Sequence, residues 1–227
     1  MDTKKMAAER AVDEIADGMI VGLGTGSTAY WAIQKIGERV KEGLRIQAVA
    51  TSIRSEQQAR ELGIPFIAFG DVKEIDVTID GADELDRQLR LIKGGGGALL
   101  REKIVAAASR KLIVVADSGK LVDKLGGYPL PIEIVPFAHE WTMNRLQRLG
   151  CLPALRRREN GEFYLTDNGN YIADCAFGRI DDPAQLHDAI NRIVGVVDNG
   201  LFIGMASVAF IGYPDGTVQR LLPGSME

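Results

Sequence analysis

The chain has 227 residues, of which 46% are hydrophobic and 26% are charged. This composition is typical of an ordinary folded protein and excludes a disordered or fibrous chain. The net charge is −4, and the longest Lys/Arg run is the triplet Arg156, Arg157 and Arg158. We therefore expect no nucleic-acid partner and interpret the three arginines as a solvated segment.

The cysteines and the N-terminal residues indicate where in the cell the protein is located. Cys151 and Cys175 stand far apart and outside any CxxC pair, so neither a disulfide framework nor a zinc cluster is predicted. The N-terminal residues lack the apolar core of a signal peptide, and no stretch approaches the ~20 apolar residues of a membrane span. We expect a cytoplasmic protein with no membrane partner.

The first half of the chain alternates apolar runs with segments of helical periodicity. The predicted strands are 19–23, 46–50, 64–69, 75–79 and 112–116. The predicted helices are 28–41, 53–62 and 98–109. Such alternation predicts an α/β fold, with a mostly parallel sheet covered by helices on both faces. Binding sites of these sheets lie at the carboxyl ends of the strands.

From about Tyr128 the composition and the order of the predicted elements change, and three prolines lie close together. The predicted elements are strand 132–135, helix 138–149, strands 152–158 and 171–177, helix 183–193 and strand 196–202. This order is the split βαβ, ferredoxin-like arrangement. Residues 206–211 and 218–222 are predicted to return to the first sheet. We therefore expect a main domain of residues 1–127 and 204–227 and a small α/β domain of residues 128–203.

A glycine-rich loop follows the first strand and opens a helix. Within Gly22–Thr28, Thr25, Gly26, Ser27 and Thr28 lie where backbone N–H groups, a helix N-terminus and hydroxyls can meet a phosphate. The alternative is a tight turn in which Ser27 only caps the helix.

A dinucleotide loop is disfavoured on two grounds. Ser27 occupies the position of the third glycine, and the next strand ends in Ala50-Thr51-Ser52 without the carboxylate that would hold a ribose. The loop also lacks the lysine of a P-loop. A single phosphate on a small ligand fits better.

Acids follow the strand 75–79 directly. Asp80 and Asp83, separated by the small residues Gly81 and Ala82, can project into one cleft and suit a polyhydroxylated ligand. An Asp-rich turn whose carboxylates cap backbone N–H groups is the alternative.

A lysine, a tetraglycine run and a glutamate come next. Four consecutive glycines, starting at Gly94, are costly in chain entropy unless the backbone must approach a ligand. Lys93 before them can neutralise a developing oxyanion. Glu102, one turn into the following helix, has Ala106 at i+4 and so no helical ion pair. For both side chains the alternative is a solvated surface position. Lys120, in the turn after the strand 112–116, could reach the same phosphate, and the same alternative applies to it.

The segments GLGTGSTA, TIDGADELD, KGGGGALLREKIV and ADSGK, in this order, closely resemble ribose-5-phosphate isomerases of type A. PLPIEIVPFA, TDNGNYIAD and PDGTV extend the likeness over the whole chain. The resemblance implies a Rossmann-like main domain with a smaller α/β lid and a homodimer or homotetramer. It implies interconversion of ribose 5-phosphate and ribulose 5-phosphate through an enediolate, without cofactor or metal.

The resemblance also implies residue roles. Glu102 matches the proton-transferring base, and Lys93, Asp80 and Asp83 match the other catalytic polar groups. The implied substrate-binding residues are Thr25, Gly26, Ser27, Thr28, Gly81, Ala82, Gly94, Gly95, Gly96, Lys120 and Lys4. Gly97 and Leu100 depart from the alanine and polar residue of many members, so the start of the catalytic helix is expected to be looser or differently packed.

Two other classes of protein remain as alternatives. A non-catalytic sugar-phosphate sensor is disfavoured because it would not need Glu102 beside Lys93, and because no N-terminal segment is expected to hold a DNA-binding unit. A nicotinamide oxidoreductase is disfavoured by Ser27 and the missing ribose carboxylate.

Overall fold

The computed structural model describes residues 2–224. Met1 and residues 225–227, which the predicted main domain includes, lie outside the described residues. The helices are α1 (Thr3–Val12), α2 (Ser27–Lys41), α3 (Ile53–Glu61), α4 (Leu99–Ala107), α5 (His139–Gln147) and α6 (Pro183–Asn191). The strands are β1 (Ile20–Leu23), β2 (Gln47–Ala50), β3 (Val77–Gly81), β4 (Glu84–Leu85), β5 (Leu91–Ile92), β6 (Leu112–Asp117), β7 (Leu130–Ile134), β8 (Leu152–Leu155), β9 (Tyr171–Ala176), β10 (Val196–Asn199), β11 (Leu201–Phe202), β12 (Ala206–Gly212) and β13 (Val218–Leu221).

The main sheet has the strand order β13-β12-β6-β3-β1-β2. All of its neighbours pair in parallel except β13, which is antiparallel to β12. Side chains alternate across it: Ile113 and Val115 pack with α1 and α2, whereas Val114 packs on the other face with Ala106 of α4. The predicted parallel sheet with helices on both faces, and the return of the C-terminal strands, are confirmed.

The predicted strand 64–69 is wrong. Only Phe66 forms a bridge, to Ala48, and residues 69–71 form a 3₁₀ turn. Pro65 has no N–H to donate, so the contact with β2 is limited to two backbone bonds, Ala48 N–H to Pro65 O and Ile67 N–H to Ala48 O.

A second, antiparallel sheet has the strand order β10-β7-β9-β8. Two crossover helices, α5 and α6, cover it, and Leu146 and Ile190 pack against Ile132 and Ile134 of its central strand. This is the predicted ferredoxin-like arrangement. We call this antiparallel sheet, α5, α6 and the segments that join them, including residues 156–170, the small unit.

The predicted strand 196–202 divides at Gly200 into β10 and β11. β11 joins the short sheet β11-β5-β4, beside the main sheet. Gly200 accepts the Lys93 N–H at 2.9 Å and donates to Pro131 O at 2.8 Å. A Cβ on Gly200 would lie 2.2 Å from the Lys93 carbonyl oxygen, so only glycine fits there. The break ties the small unit to Lys93, which directly follows β5. The domain boundary at residue 203 stays a prediction.

No helix within residues 2–224 has the length and apolar character needed to cross a membrane.

Candidate active site

One cavity lies at the carboxyl ends of the parallel strands, where the alternation of elements predicts a binding site. Every residue of the predicted site except Asp80 lines it. The lining residues are Lys4, Thr25, Gly26, Ser27, Thr28, Gly81, Ala82, Asp83, Lys93, Gly94, Gly95, Gly96, Glu102 and Lys120.

The glycine-rich loop 22–28 presents the start of α2 to this cavity. Gly26 is the N-cap, with a φ of 112° that favours glycine, and it makes no side-chain cap bond. Ser27 is therefore the first helical residue and not the cap. Its Oγ accepts from Lys4 Nζ at 3.1 Å. The loop thus places unpaired helix N–H groups, a hydroxyl and a cation together, which is the chemistry of an anion site.

The Thr25 hydroxyl faces the scaffold. Its Oγ1 lies 2.7 Å from Thr51 Oγ1, 2.8 Å from Ser52 Oγ and 3.1 Å from Ser55 Oγ. Ser55 Oγ in turn donates to Gly24 O at 2.7 Å. This hydroxyl network fixes the loop from behind. Sequence reasoning missed it, although the Thr51-Ser52 pair at a strand end was a visible signal.

Asp80 lies beneath the cavity. The sequence predicted that its side chain projects into the cleft, and it does not. It is 1% exposed, and its Oδ1 accepts from the N–H groups of Thr25 at 2.9 Å and Gly81 at 2.8 Å. Its Oδ2 lies 3.0 Å from Lys93 Nζ. A buried carboxylate requires such donors, and these draw the side chain away from the ligand space. The capping alternative describes part of its role.

Lys93 is a buried cation with three acceptors. Its Nζ lies 2.5 Å from Gly81 O, 3.0 Å from Asp80 Oδ2 and 3.1 Å from Glu102 Oε1. An ammonium has three N–H groups, so all are engaged. Burial alone would lower the pKa of Lys93, but the charges of Asp80 and Glu102 outweigh it and hold that pKa above its ordinary value. Lys93 is not an exposed strand-end residue.

Glu102 is 4% exposed, in the first turn of α4, and lines the cavity. Its Oε2 is buried and has no hydrogen-bond partner within residues 2–224. Burial raises the pKa of Glu102 to about 8, Lys93 opposes that shift, and the negative charge of Asp80 adds to it. The solvated surface alternative does not hold. A carboxyl that titrates near neutrality can both take and return a proton.

The glycine run is held from two sides. On the cavity side, the Gly95 N–H donates to Asp83 Oδ2 at 2.7 Å. On the other, Arg156 Nη1 donates to the carbonyl oxygens of Gly94 at 2.9 Å and Gly95 at 3.1 Å. The interpretation of Arg156 as solvated is therefore wrong. The contact joins residues 62 apart, which no local pattern shows.

Gly97 is packed against a tyrosine. Its φ is +79°, and a Cβ there would lie 2.3 Å from Tyr164 Oη. Tyr164 therefore occupies the space that an alanine side chain would need. The expected difference in packing at the start of α4, from the departures at Gly97 and Leu100, stays a prediction.

Lys120 lies in a 3₁₀ turn after β6 and lines the cavity, with its Nζ 6.0 Å from the centroid of the Tyr128 ring. Tyr128 is held by Glu84, whose Oε1 accepts the Tyr128 N–H at 2.6 Å.

Across the described part of the chain, no group of three or more His, Cys, Asp or Glu side chains is placed to hold a metal ion.

Comparison with known proteins finds one family. A family model described as ribose 5-phosphate isomerase A (phosphoriboisomerase A) matches residues 47–216. The ribose-5-phosphate isomerase A of Bacillus mycoides (strain KBAB4) is 53% identical over 217 residues, which cover 95% of this chain and 98% of the relative. That of Bacillus cereus (strain ATCC 10987 / NRS 248) is 54% identical over 222 residues, with 97% and 100% covered.

Solved structures give the same result. The ribose 5-phosphate isomerase from Plasmodium falciparum superposes with a TM-score of 0.94 at 42% identity, covering 98% of this chain and 99% of that one. A D-ribose-5-phosphate isomerase in complex with phospho-erythronic acid superposes with a TM-score of 0.93 at 41% identity, covering 97% and 98%.

Fold and cavity together define an α/β sugar-phosphate isomerase, in which a buried acid and a buried cation line one cavity with the loop 22–28. Since both the family model and the relatives span most of the sequence, the chain belongs to the ribose 5-phosphate isomerase A family. The reaction of this family is the interconversion of ribose 5-phosphate and ribulose 5-phosphate.

Proposed function

We propose that the chain performs this isomerisation by moving one proton between C2 and C1 of the sugar through an enediolate, with Glu102 as the carrier. One observation carries the proposal. Glu102 Oε2 is buried and unpartnered among the described residues, and its side chain lines the cavity. A base in this setting takes the C2 proton, becomes neutral, and returns the proton to C1. The C2 hydroxyl loses its own proton and the C1 oxygen gains one, so the aldehyde becomes an alcohol and the C2 alcohol becomes a ketone.

Lys93 supplies the positive charge that the enediolate requires. All three of its N–H groups are engaged, so a substrate oxygen must displace one acceptor. Displacing Glu102 is the exchange that helps catalysis, because Lys93 is the group that lowers the pKa of Glu102. Losing that contact makes Glu102 a stronger base at the moment when Lys93 turns to the oxyanion.

The start of α2, with Ser27, Lys4 and Lys120 around it, supplies the phosphate site. Support comes from the relative solved with phospho-erythronic acid, because that ligand is a phosphorylated sugar acid. Binding energy at the phosphate, remote from the reacting carbons, orients C1 and C2 toward Glu102.

The two aspartates divide their work. Asp83 lines the cavity, and in this proposal it holds a sugar hydroxyl and assists ring opening, whereas Asp80 positions Lys93 and the loop 22–28 from below. Nothing in this route requires a cofactor. Assembly as a homodimer or homotetramer, the cytoplasmic location and the division into two domains stay predictions.

Hydrogen exchange tests the proton route. Ribose 5-phosphate alone is incubated with the protein in D₂O until the two sugars equilibrate over many turnovers, and the ribulose 5-phosphate is analysed by mass spectrometry. We expect deuterium at C1, because a proton held on Glu102 exchanges with solvent.

The controls separate the alternatives. An enzyme-free sample measures background exchange. Ketose without deuterium would contradict the enediolate, because a direct hydride shift never exchanges. No ketose at all would favour a sensor, and ketose only with added nicotinamide would favour an oxidoreductase.

A further inference from the structure

Three successive carbonyl groups of the glycine run are bound from outside the cavity by the small unit. Arg156 Nη1 donates to Gly94 O at 2.9 Å and to Gly95 O at 3.1 Å. Tyr164 Oη donates to Gly96 O at 3.3 Å. Both side chains belong to the segment that follows β8, about sixty residues away in sequence.

The guanidinium is itself locked. Arg156 Nε donates to Asp174 Oδ2 at 2.9 Å and Nη2 donates to Asp174 Oδ1 at 2.5 Å, which is a two-point pair. Asp174 lies on β9, where its neighbours hydrogen-bond to β7 and β8. Arg156 is 14% exposed, and its guanidinium carbon lies 5.8 Å from the centroid of the Tyr164 ring. The carbonyls are therefore bound by a group fixed to a sheet.

The glycine run cannot fix its own orientation. Its internal hydrogen bond joins Gly97 N–H to Gly94 O at 2.9 Å, and Gly94 has a φ of +104°. Glycine peptides of this kind sample many conformations at little cost. An external hold is the physical means of selecting one of them.

Binding the carbonyls sets the direction of the N–H groups. In a planar trans peptide the N–H of one residue points opposite to the carbonyl of the preceding one. With Gly94 O on Arg156, the Gly95 N–H reaches Asp83 Oδ2 at 2.7 Å. With Gly95 O on Arg156, the Gly96 N–H is turned away from the guanidinium, and Gly96 lines the cavity.

We propose that Arg156 is a positioning residue for the isomerisation, acting on the sugar through the glycine run. It aims the Gly96 N–H at a substrate oxygen and keeps Asp83 oriented through Gly95. This inference rests on the proposed function, because it assigns a hold to groups that face the reacting sugar there. The small unit thereby contributes to catalysis without placing Arg156 in the cavity lining.

The test compares Arg156→Ala with Arg157→Ala. Arg157 is a matched control: it is the next residue in the chain, it is exposed, and its guanidinium donates to Gly161 O in its own turn. We expect Arg156→Ala to lower kcat about 10²-fold with KM changed only a few-fold, since small misplacement at a reacting centre has effects of that order. Arg157→Ala should stay within about threefold of the wild type, as ordinary surface changes do.

Chemical rescue separates positioning from folding. Millimolar guanidinium should restore part of the kcat of Arg156→Ala and leave Arg157→Ala unchanged. Arg156→Lys should not recover kcat, because one ammonium cannot pair with Asp174 and hold two carbonyls in the same plane. If Arg156→Ala does not fold, Asp174→Asn replaces it in the test. This variant keeps the arginine but removes the charge that anchors it. It should also lower kcat by a larger factor than it changes KM.

The inference is overturned if folded Arg156→Ala keeps kcat within about threefold of Arg157→Ala, or if its loss of activity equals its unfolded fraction. It is also overturned if lysine serves as well as arginine. These outcomes leave deuterium incorporation by the wild type intact. A wild type that fails to exchange deuterium removes the proposed function itself.

Discussion

Two buried glutamates lie in different regions of the molecule and invite comparison. Glu102 lies on α4 beside the cavity, and Glu133 lies in β7, the central strand of the small unit. Each has one carboxylate oxygen that is hydrogen-bonded and one, Oε2, that is buried without a partner within residues 2–224. Judged only by burial and by the number of hydrogen-bonded carboxylate oxygens, the two side chains look equivalent.

Their partners differ. Glu133 Oε1 accepts from three neutral groups, Thr166 Oγ1 at 3.0 Å, Asn168 Nδ2 at 3.2 Å and Asn170 Nδ2 at 2.8 Å, and so closes the loop 166–170. Glu102 Oε1 accepts from a cation, Lys93, and its side chain lines the cavity, which Glu133 does not. Glu133 is thus a structural anchor, whereas Glu102 has access to a ligand.

The comparison teaches that a buried acid with a free oxygen is not enough to identify a proton carrier. Access to a cavity and a charged neighbour that can be exchanged are also required.

Replacing each glutamate by glutamine should separate them most clearly. Glu102→Gln should lower kcat about 10³-fold, within the range of a general base, because an amide cannot take the C2 proton. Glu133→Gln keeps an oxygen for its three donors and should leave kcat within about threefold. Steady-state assays of ketose formation measure both. Equal losses in the two variants would remove the distinction between anchor and carrier.

The pH dependence of activity should come from Glu102. Because its pKa is raised to about 8, the base is protonated below that value, so kcat/KM should rise about tenfold per pH unit and level off above about 8. Glu133→Gln should give the same profile. A profile that is flat between pH 6 and 8 would show that Glu102 titrates lower in the free enzyme.

The same shift sets a stability trend of opposite sign. The folded state keeps a proton on Glu102 that the unfolded chain releases above its ordinary value of 4.5, so the free energy of unfolding should fall as pH rises from 4.5 to about 8. Glu102→Gln should lose that part of the pH dependence. Denaturant unfolding at several pH values measures it, and an unchanged slope in the variant would contradict it.

Glu133→Ala should affect the stability of the protein more than its activity. Removing the shared acceptor leaves the buried Thr166 hydroxyl and the side-chain amides of Asn168 and Asn170 without it, and should lower the free energy of unfolding by about 1–3 kcal/mol. The value of kcat should change only a few-fold, since the loop contacts α3 and α4 through Asp167 and Asn168 and not the cavity lining. Thermal unfolding and kinetics on the same samples check both, and a loss of kcat without a loss of stability would make Glu133 functional.

Much of the fold could be predicted from the sequence, because each signal was local. The apolar runs predicted β1, β2, β3 and β6, and the residues that follow them predicted the edge of the sheet where the site lies. The order of elements after Tyr128 predicted the small unit. The two failures have different causes. The run 64–69 has a strand composition, but Pro65 has no N–H to donate and only two backbone bonds join the run to β2. The run 196–202 divides because Gly200 fits between Lys93 and Pro131, which are far from it in sequence.

The site divides in the same way. The sequence by itself determined which residues occupy the strand ends, because glycine loops, acids and lysines after apolar runs are written in consecutive positions. Only the tertiary structure decided that Asp80 lies below the cavity, that Lys93 has no spare N–H, and that Arg156 reaches the glycine run. Burial and charge pairing depend on distances between segments far apart in the chain, and these exist only once the chain has folded.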